Sequence, residues 1–258
     1  EGSDFENLSP EEVINRAPEI LAIIRGLYVA QDEELRKLDK LHELAQTVEW
    51  PVIQVLAAME YQGIELDTRY LKNMSVELSD QISDVEQQIY GYADQEFNVG
   101  SPSQLAEILF EKLMLPTTGI KKGKTGYSTA AKELDKLRGQ HPIIDLITQF
   151  REYTKLKNTY VDTLPEMVDK DSRLHTTFSL TVAQTGRLSS NDPNLQNIPV
   201  RTELGNRIRT AFVAGEGKVF VSADYSQFEL RLAAYLSNDE ELIDIFNRDI
   251  DVHTATAA

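Results

Sequence analysis

An α+β fold is predicted, mostly helical with long paired helices at first, then an antiparallel sheet with flanking helices, and three observations predict it. Apolar residues recur at spacings of three and four through Leu71, Met74, Leu78, Ile82, Val85 and Ile89, the buried stripe of a long amphipathic helix. From Leu174 the rhythm changes to two: Leu174, Thr176, Phe178, Leu180 and Val182 alternate with polar or small residues, as in a half-buried strand. A short apolar run, Val219-Phe220-Val221, then leads into an Asp-containing string, where a predicted strand over residues 219–223 gives way to a helix with Phe228, Leu232 and Leu236 on one face.

The elements follow in order. Residues 1–50 are charged and helical in pattern, and they end at Glu49-Trp50-Pro51, where proline marks a new start. Asp67 is placed to cap the long helix that carries the stripe. Ser101-Pro102-Ser103-Gln104 has the pattern of a capping box with proline at the first helical position. Residues 116–128 hold Lys121, Lys122, Gly123, Lys124 and Gly126 without an apolar period, so they read as a mobile basic loop, either solvated or resting on phosphates. Pro142 opens a helix through Ile143, Ile147, Phe150 and Leu156, with Arg151, Lys155 and Lys157 near its end, where cations also complement the helix dipole. Ser237-Asn238-Asp239-Glu240 caps a last helix through Phe246.

The 258 residues contain no cysteine, which excludes a disulfide framework and a thiolate metal site. No run approaches the length of apolar chain that a membrane span needs, and the first residues are acidic and polar, unlike a signal peptide, so no membrane association and a cytoplasmic location are expected. The formal charge of −16 is unevenly spread. Residues 99–221 carry 17 basic and 13 acidic side chains, a net of +4, while the acidic excess lies in the flanking stretches. A basic middle segment fits contact with phosphates, and an acidic stretch after it fits a cation.

The chemistry concentrates in Ser222-Ala223-Asp224-Tyr225-Ser226-Gln227-Phe228-Glu229-Leu230-Arg231. A strand ending in Asp can aim one carboxylate and the next backbone carbonyl at the same hard cation, such as Mg²⁺. Asp224, Gln227 and Glu229 together have the composition of a site that holds a metal and reads a sugar.

That string resembles the first polymerase motif of the family A DNA polymerases, the family of bacterial DNA polymerase I. Thr185-Gly186-Arg187-Leu188-Ser189-Ser190 and Asp192-Pro193-Asn194-Leu195-Gln196-Asn197-Ile198-Pro199-Val200-Arg201 resemble the two family signatures between thumb and palm. Asp251-Val252-His253-Thr254-Ala255-Thr256-Ala257 is similar to the D-I-H-x-x-T-A segment. Four ordered strings between residues 185 and 257 exceed what a single short match can claim.

The resemblance implies template-directed DNA synthesis in replication and repair by a monomer located with the nucleoid. Its partners are primer-template DNA and deoxyribonucleoside triphosphates, and two Mg²⁺ ions serve the reaction, with Mn²⁺ able to substitute. Residues 1–50 would be the tail of an exonuclease-like domain, 51–172 the thumb and 173–258 part of the palm. Tyr28 to Asp32 fit the Y-x-x-x-D exonuclease pattern, but the D-x-E carboxylates of that reaction are missing. By the same resemblance, Asp224 is the catalytic metal ligand with the carbonyl of Tyr225 as co-ligand. Glu229 is the steric gate against a ribose 2′-hydroxyl, with Ser226 and Gln227 beside it, and His253 contacts the triphosphate. Arg187 enters the minor groove, where the acceptors are common to every base pair. Lys155, Asn194, Gln196, Asn197 and Arg201 match template and primer contacts, although amides beside proline also satisfy turn backbone.

Departures from the family pattern are Phe228 for a common isoleucine, Ser179-Leu180 for an amide pair and Gln184 for a small residue. None of the four histidines is followed by Asp-Glu, the turn that brings the family's second carboxylate, and the fingers helix is missing. The chain is therefore expected to be an incomplete polymerase domain that binds primer-template without extending it. Two other readings stay open: a single-subunit RNA polymerase, against which Glu229 argues, and a DNA-binding module that never catalyses.

Overall fold

The computed structural model describes residues 9–124, 126–248, 250–252 and 255. They form two compact units, one up to Val213 and one from Ala214.

The first unit opens with α1 (Pro10–Leu35), whose start is a capping box: Ser9 Oγ accepts from the Glu12 amide at 3.3 Å and the Ser9 amide donates to the Glu12 carboxylate at 2.8 Å. None of the α1 side chains is buried. α2 (Asp39–Leu44), a π-helical turn over Ala45–Glu49 and α3 (Trp50–Gln62) then follow without a break. Pro51 does begin an element as expected, but inside a continuous helical path; in the first turn of α3 its missing N–H is no loss.

α3 stops at Gly63, which adopts φ 56°; a Cβ there would lie 2.5 Å from the Leu174 carbonyl oxygen. The close approach lets β1 (Ile64–Leu66) enter a sheet that the sequence does not announce. β1 is its centre strand, antiparallel to β4 (Arg173–Leu174) on one side, with Ile64 opposite Leu174, and to β7 (Phe212–Val213) on the other, with Leu66 opposite Phe212.

α4 (Thr68–Ala93) is capped as predicted, with Asp67 Oδ1 accepting from the Tyr70 amide at 2.8 Å. Its stripe serves two cores. Leu71, Met74 and Leu78 pack with Leu156, Tyr160, Leu174 and Ile208, and Val85 and Ile89 pack with Leu105, Leu109, Ile144 and Ile147. Each such buried aliphatic contributes about 1.5–3 kcal/mol, so the stripe holds α4 against the later helices.

α5 (Pro102–Ala106) starts with proline as predicted and continues as a π-helical turn over Glu107–Lys112, but the capping box does not form. Gln104 Oε1 instead accepts from the Asn98 amide at 2.8 Å, and Ser101 Oγ pairs with Ser103 Oγ at 3.1 Å. The expected basic loop contains an antiparallel hairpin, β2 (Lys122–Gly123) with β3 (Gly126–Tyr127), and the Lys122 ammonium lies 5.1 Å from the centre of the Tyr127 ring. After α6 (Ala131–Leu134), α7 (Ile143–Leu156) buries Ile143, Ile147, Phe150 and Leu156 against α4.

The single strand expected from Leu174 is two. β4 (Arg173–Leu174) pairs with β1, while β5 (Thr177–Ser179) pairs with β6 (Ser189–Asn191). Buried Thr176 makes the break: its hydroxyl lies 2.6 Å from Ser190 Oγ, 2.9 Å from the Pro193 carbonyl and 3.0 Å from that of Asn191. Leu180 and Val182 leave the ladder, and Val182 is 65% exposed. α8 (Glu203–Thr210), capped by Thr202, and β7 (Phe212–Val213) close the unit.

In the second unit, residues 219–223 form no strand, with Val219 82% and Val221 87% exposed. A strand exists through a ladder of main-chain hydrogen bonds, and no described residue supplies one here. α9 (Phe228–Ser237) and α10 (Glu240–Asn247) pack together, the latter capped by Asp239, which accepts from the amides of Glu241 and Leu242. The expected buried face of α9 is likewise open: Phe228, Leu232 and Leu236 are exposed, and Ala234 is the buried residue.

Candidate functional site

Within the second unit, Asp224 and Tyr225 precede a two-residue turn, Ser226-Gln227, that starts α9. Gln227 takes the left-handed conformation (φ 53°, ψ 35°), uncommon for a residue with a side chain. Two contacts hold the turn. Gln227 Nε2 donates to Asp251 Oδ2 at 2.9 Å, and Arg231 Nε donates to the Ser226 carbonyl at 3.0 Å, with the Arg231 guanidinium 4.7 Å from the centre of the Phe246 ring. The Tyr225 and Phe228 rings stand 5.7 Å apart.

Asp224 is exposed, and Glu229 lies in the first turn of α9, where the helix dipole favours a carboxylate. No cluster of three or more metal-ligating side chains occurs among the described residues. The Asp224 carboxylate and Tyr225 carbonyl are nonetheless hard oxygens on adjacent residues, a donor set that suits Mg²⁺ with waters and substrate oxygens completing its shell. His253 lies outside the described residues.

The first unit carries the other candidates. In the loop after β6, Asn194 Oδ1 accepts from the Gln196 amide N–H at 3.1 Å. Gln196 is held at both ends of its side-chain amide: Oε1 accepts from Ser190 N at 3.2 Å and Nε2 donates to the Leu188 carbonyl at 3.0 Å. The Asn197 carbonyl accepts from the Tyr160 hydroxyl at 2.7 Å. These amides build the loop that displays exposed Arg187 and Arg201 beside it. Gly205 of α8 packs so closely on this loop that a Cβ would lie 2.5 Å from the Pro199 carbonyl oxygen.

Lys155 and Asn197, 42 positions apart by number, line one cleft of about 680 Å³ together with Arg151, Glu152, Thr159 and Tyr160. Arg151 donates to the Thr129 carbonyl and, at 3.2 Å, to its hydroxyl, tying α7 to the chain just after the basic hairpin. Sequence reasoning missed the roles of Tyr160, Arg151 and Asp251 as partners, because each acts on a residue far away in the chain.

A second set of contacts clasps the end of α3. His175 Nδ1 is 2.7 Å from the Glu60 carbonyl and Nε2 is 3.2 Å from the Asp169 carboxylate. The bond to the Glu60 carbonyl, then that to Asp169, raises the His175 pKa above its usual value. The Asp169 carboxyl is held low, chiefly by the hydrogen bond from the Arg173 amide. Arg173 donates to the carbonyls of Gln62 (2.6 Å) and Gly63 (2.9 Å), so Arg173 and His175 together satisfy carbonyls at the end of α3.

Comparison with known proteins places this geometry. The family model for DNA polymerase family A matches residues 68–258. The thermostable DNA polymerase I of Thermus thermophilus is 48% identical over 265 residues, covering 99% of this chain and 32% of the relative. DNA polymerase I of Bacillus caldotenax is 45% identical over 255 residues, covering 98% of this chain and 28% of the relative. The chain thus spans less than a third of the length of either. Among solved structures, the POL domain of Pol1 from M. smegmatis, in complex with DNA primer-template and dNTP, matches with a TM-score of 0.76 at 46% identity, over 86% of this chain and 39% of that one. With most of its length matched by the family model and nearly all of it matched by these relatives, the chain belongs to DNA polymerase family A.

Proposed function

We propose that this chain forms the thumb and part of the palm of a template-directed DNA polymerase, grips primer-template DNA and supplies one metal-binding carboxylate. The observation that carries the reading is the Asp224 turn, where a hard-oxygen pair and a gating carboxylate lie within six residues on an ordered helix start. In this reading residues 1–50 belong to an exonuclease-like domain, 51–172 to the thumb and 173–258 to the palm. The protein works as a monomer in the cytoplasm with the nucleoid.

Nucleotide addition is an in-line attack of a primer 3′-hydroxyl on the α-phosphate of a deoxyribonucleoside triphosphate, in which the hydroxyl loses its proton, the bond to the β-phosphate breaks and pyrophosphate leaves. Bound divalent metal, two Mg²⁺ ions or Mn²⁺ in their place, would supply a lowered pKa for the hydroxyl and neutralisation of charge on the leaving oxygens. Asp224 and the Tyr225 carbonyl would hold metal, and Glu229, beside Ser226 and Gln227, would fill the space a 2′-hydroxyl needs. His253 would meet the triphosphate. Arg187 would donate to minor-groove acceptors at the primer terminus. Lys155, Asn194, Asn197 and Arg201 would hold template and primer strands, and Gln196 would shape the loop that presents them.

The 258-residue chain should bind primer-template duplex without extending it, since its sequence holds the first carboxylate and lacks the His-Asp-Glu turn. Fluorescence anisotropy at increasing salt should show affinity falling steeply, as counterions released from several phosphates require. Salt-independent binding, or template-dependent extension by this chain alone, would overturn the assignment.

A further inference from the structure

The left-handed backbone at Gln227 and the hydrogen bond from its amide to Asp251 belong to one device. A residue with a side chain pays about 1 kcal/mol or more to sit in that conformation, so it persists where its surroundings hold it. Here the hold is visible: Nε2 reaches Asp251 Oδ2 at 2.9 Å, and the Asp251 carbonyl in turn accepts from the Ala255 amide at 3.0 Å. Asp251 is thus fixed by main chain on one side and holds the Asp224 turn on the other. Arg231, by donating to the Ser226 carbonyl, ties the same turn to α9.

Resting on the reading of Asp224 and Glu229 above, we propose that Gln227 is a positioning residue. Its amide, latched to Asp251, sets the path of residues 224–227, and so the direction of the metal-binding oxygens relative to the gate. The bond to Asp251 takes one of the two N–H donors of the amide and fixes the direction of the whole side chain.

The test exchanges the polarity of the pair in the full-length polypeptide. Gln227→Glu sets a carboxylate against the Asp251 carboxylate. Adding Asp251→Asn restores one donor and one acceptor at unchanged net charge. Single-turnover insertion of a matched deoxyribonucleotide at saturating Mg²⁺ should fall about tenfold in Gln227→Glu, the factor carried by a hydrogen bond to a charged group. The exchanged pair should recover to within about threefold, with primer-template affinity the same throughout. Hydrogen exchange over residues 224–230, which needs no catalysis, should rise in Gln227→Glu and fall back in the exchanged pair.

A single variant with wild-type exchange, or an exchanged pair as impaired as the single in both measurements, overturns the latch. If exchange follows the prediction while no variant or wild type inserts a nucleotide, the latch stands and the polymerase reading falls.

Discussion

Glu229 sits in the first turn of α9, two residues after a turn fixed by its own hydrogen bonds, so its backbone is well placed to hold a side chain against a sugar. A buried, unsatisfied hydroxyl costs about 1–3 kcal/mol, and overlap with the gate adds to that. Glu229→Ala in the full-length polypeptide should therefore raise the ratio of ribonucleotide to deoxyribonucleotide kcat/KM by at least about tenfold. An unchanged ratio would make Glu229 a solvated helix residue and reopen the RNA polymerase reading. Asp224 is exposed and bears no buried load, so Asp224→Ala should leave folding and primer-template affinity within a few-fold while abolishing extension. Near-wild-type single-turnover rates in that variant would remove Asp224 from the metal site. The proposal for these two residues comes from the string around them; the tie from Gln227 to Asp251 could not be read there, because nothing in one residue's type names a partner 24 positions away.

The helices were the most legible elements, since their signals are local. The stripe from Leu71 to Ile89 and the cap at Asp67 lie on the chain as they lie in the fold. Strands were harder. β1 is three residues long and takes its partners from Arg173-Leu174 and Phe212-Val213, so no local period marks it. The alternation from Leu174 was real in sequence, but Thr176 turned it into two strands of different sheets by bonding into the β6 loop. The expected strand before Asp224 and the buried face of α9 both presumed a covering layer that the described residues do not provide.

At this scale His175 yields a pH prediction. Only a doubly protonated ring can donate to both the Glu60 carbonyl and Asp169, and its pKa is raised in the folded state. The stability it adds is full below the unfolded value of 6.5 and disappears as pH rises through the raised folded value. Asp169 has a lowered pKa, so its share is present above 3.8 and is lost on acidification. The Tm deficit of His175→Gln should accordingly be largest between these two values and should shrink above neutrality. A deficit that stays the same as the pH is raised from 6.5 through the raised folded value would show that the clasp does not depend on the second proton.

For the whole molecule, net charge misleads and its distribution informs. If the chain of −16 grips DNA as proposed, its phosphate contacts should lie in the basic stretch of residues 99–221, within which the hairpin lysines, Lys155, Arg187 and Arg201 all fall. The family was legible because its motifs are contiguous strings; the cleft shared by Lys155 and Asn197 was not, since the fold alone makes them neighbours.

The order in which the sheet's strands are made has a consequence for synthesis. β1 leaves the ribosome before both of its neighbours, which are encoded far downstream, and the last is Phe212-Val213. Until then its N–H and C=O groups face outward on both edges, inviting another chain to add itself. A polypeptide stopped after residue 172 should consequently scatter light and pellet on concentration, whereas one stopped after residue 213 should stay dispersed. Heat-shock chaperones would be expected to favour nascent chains of the shorter kind, held there until the third strand arrives.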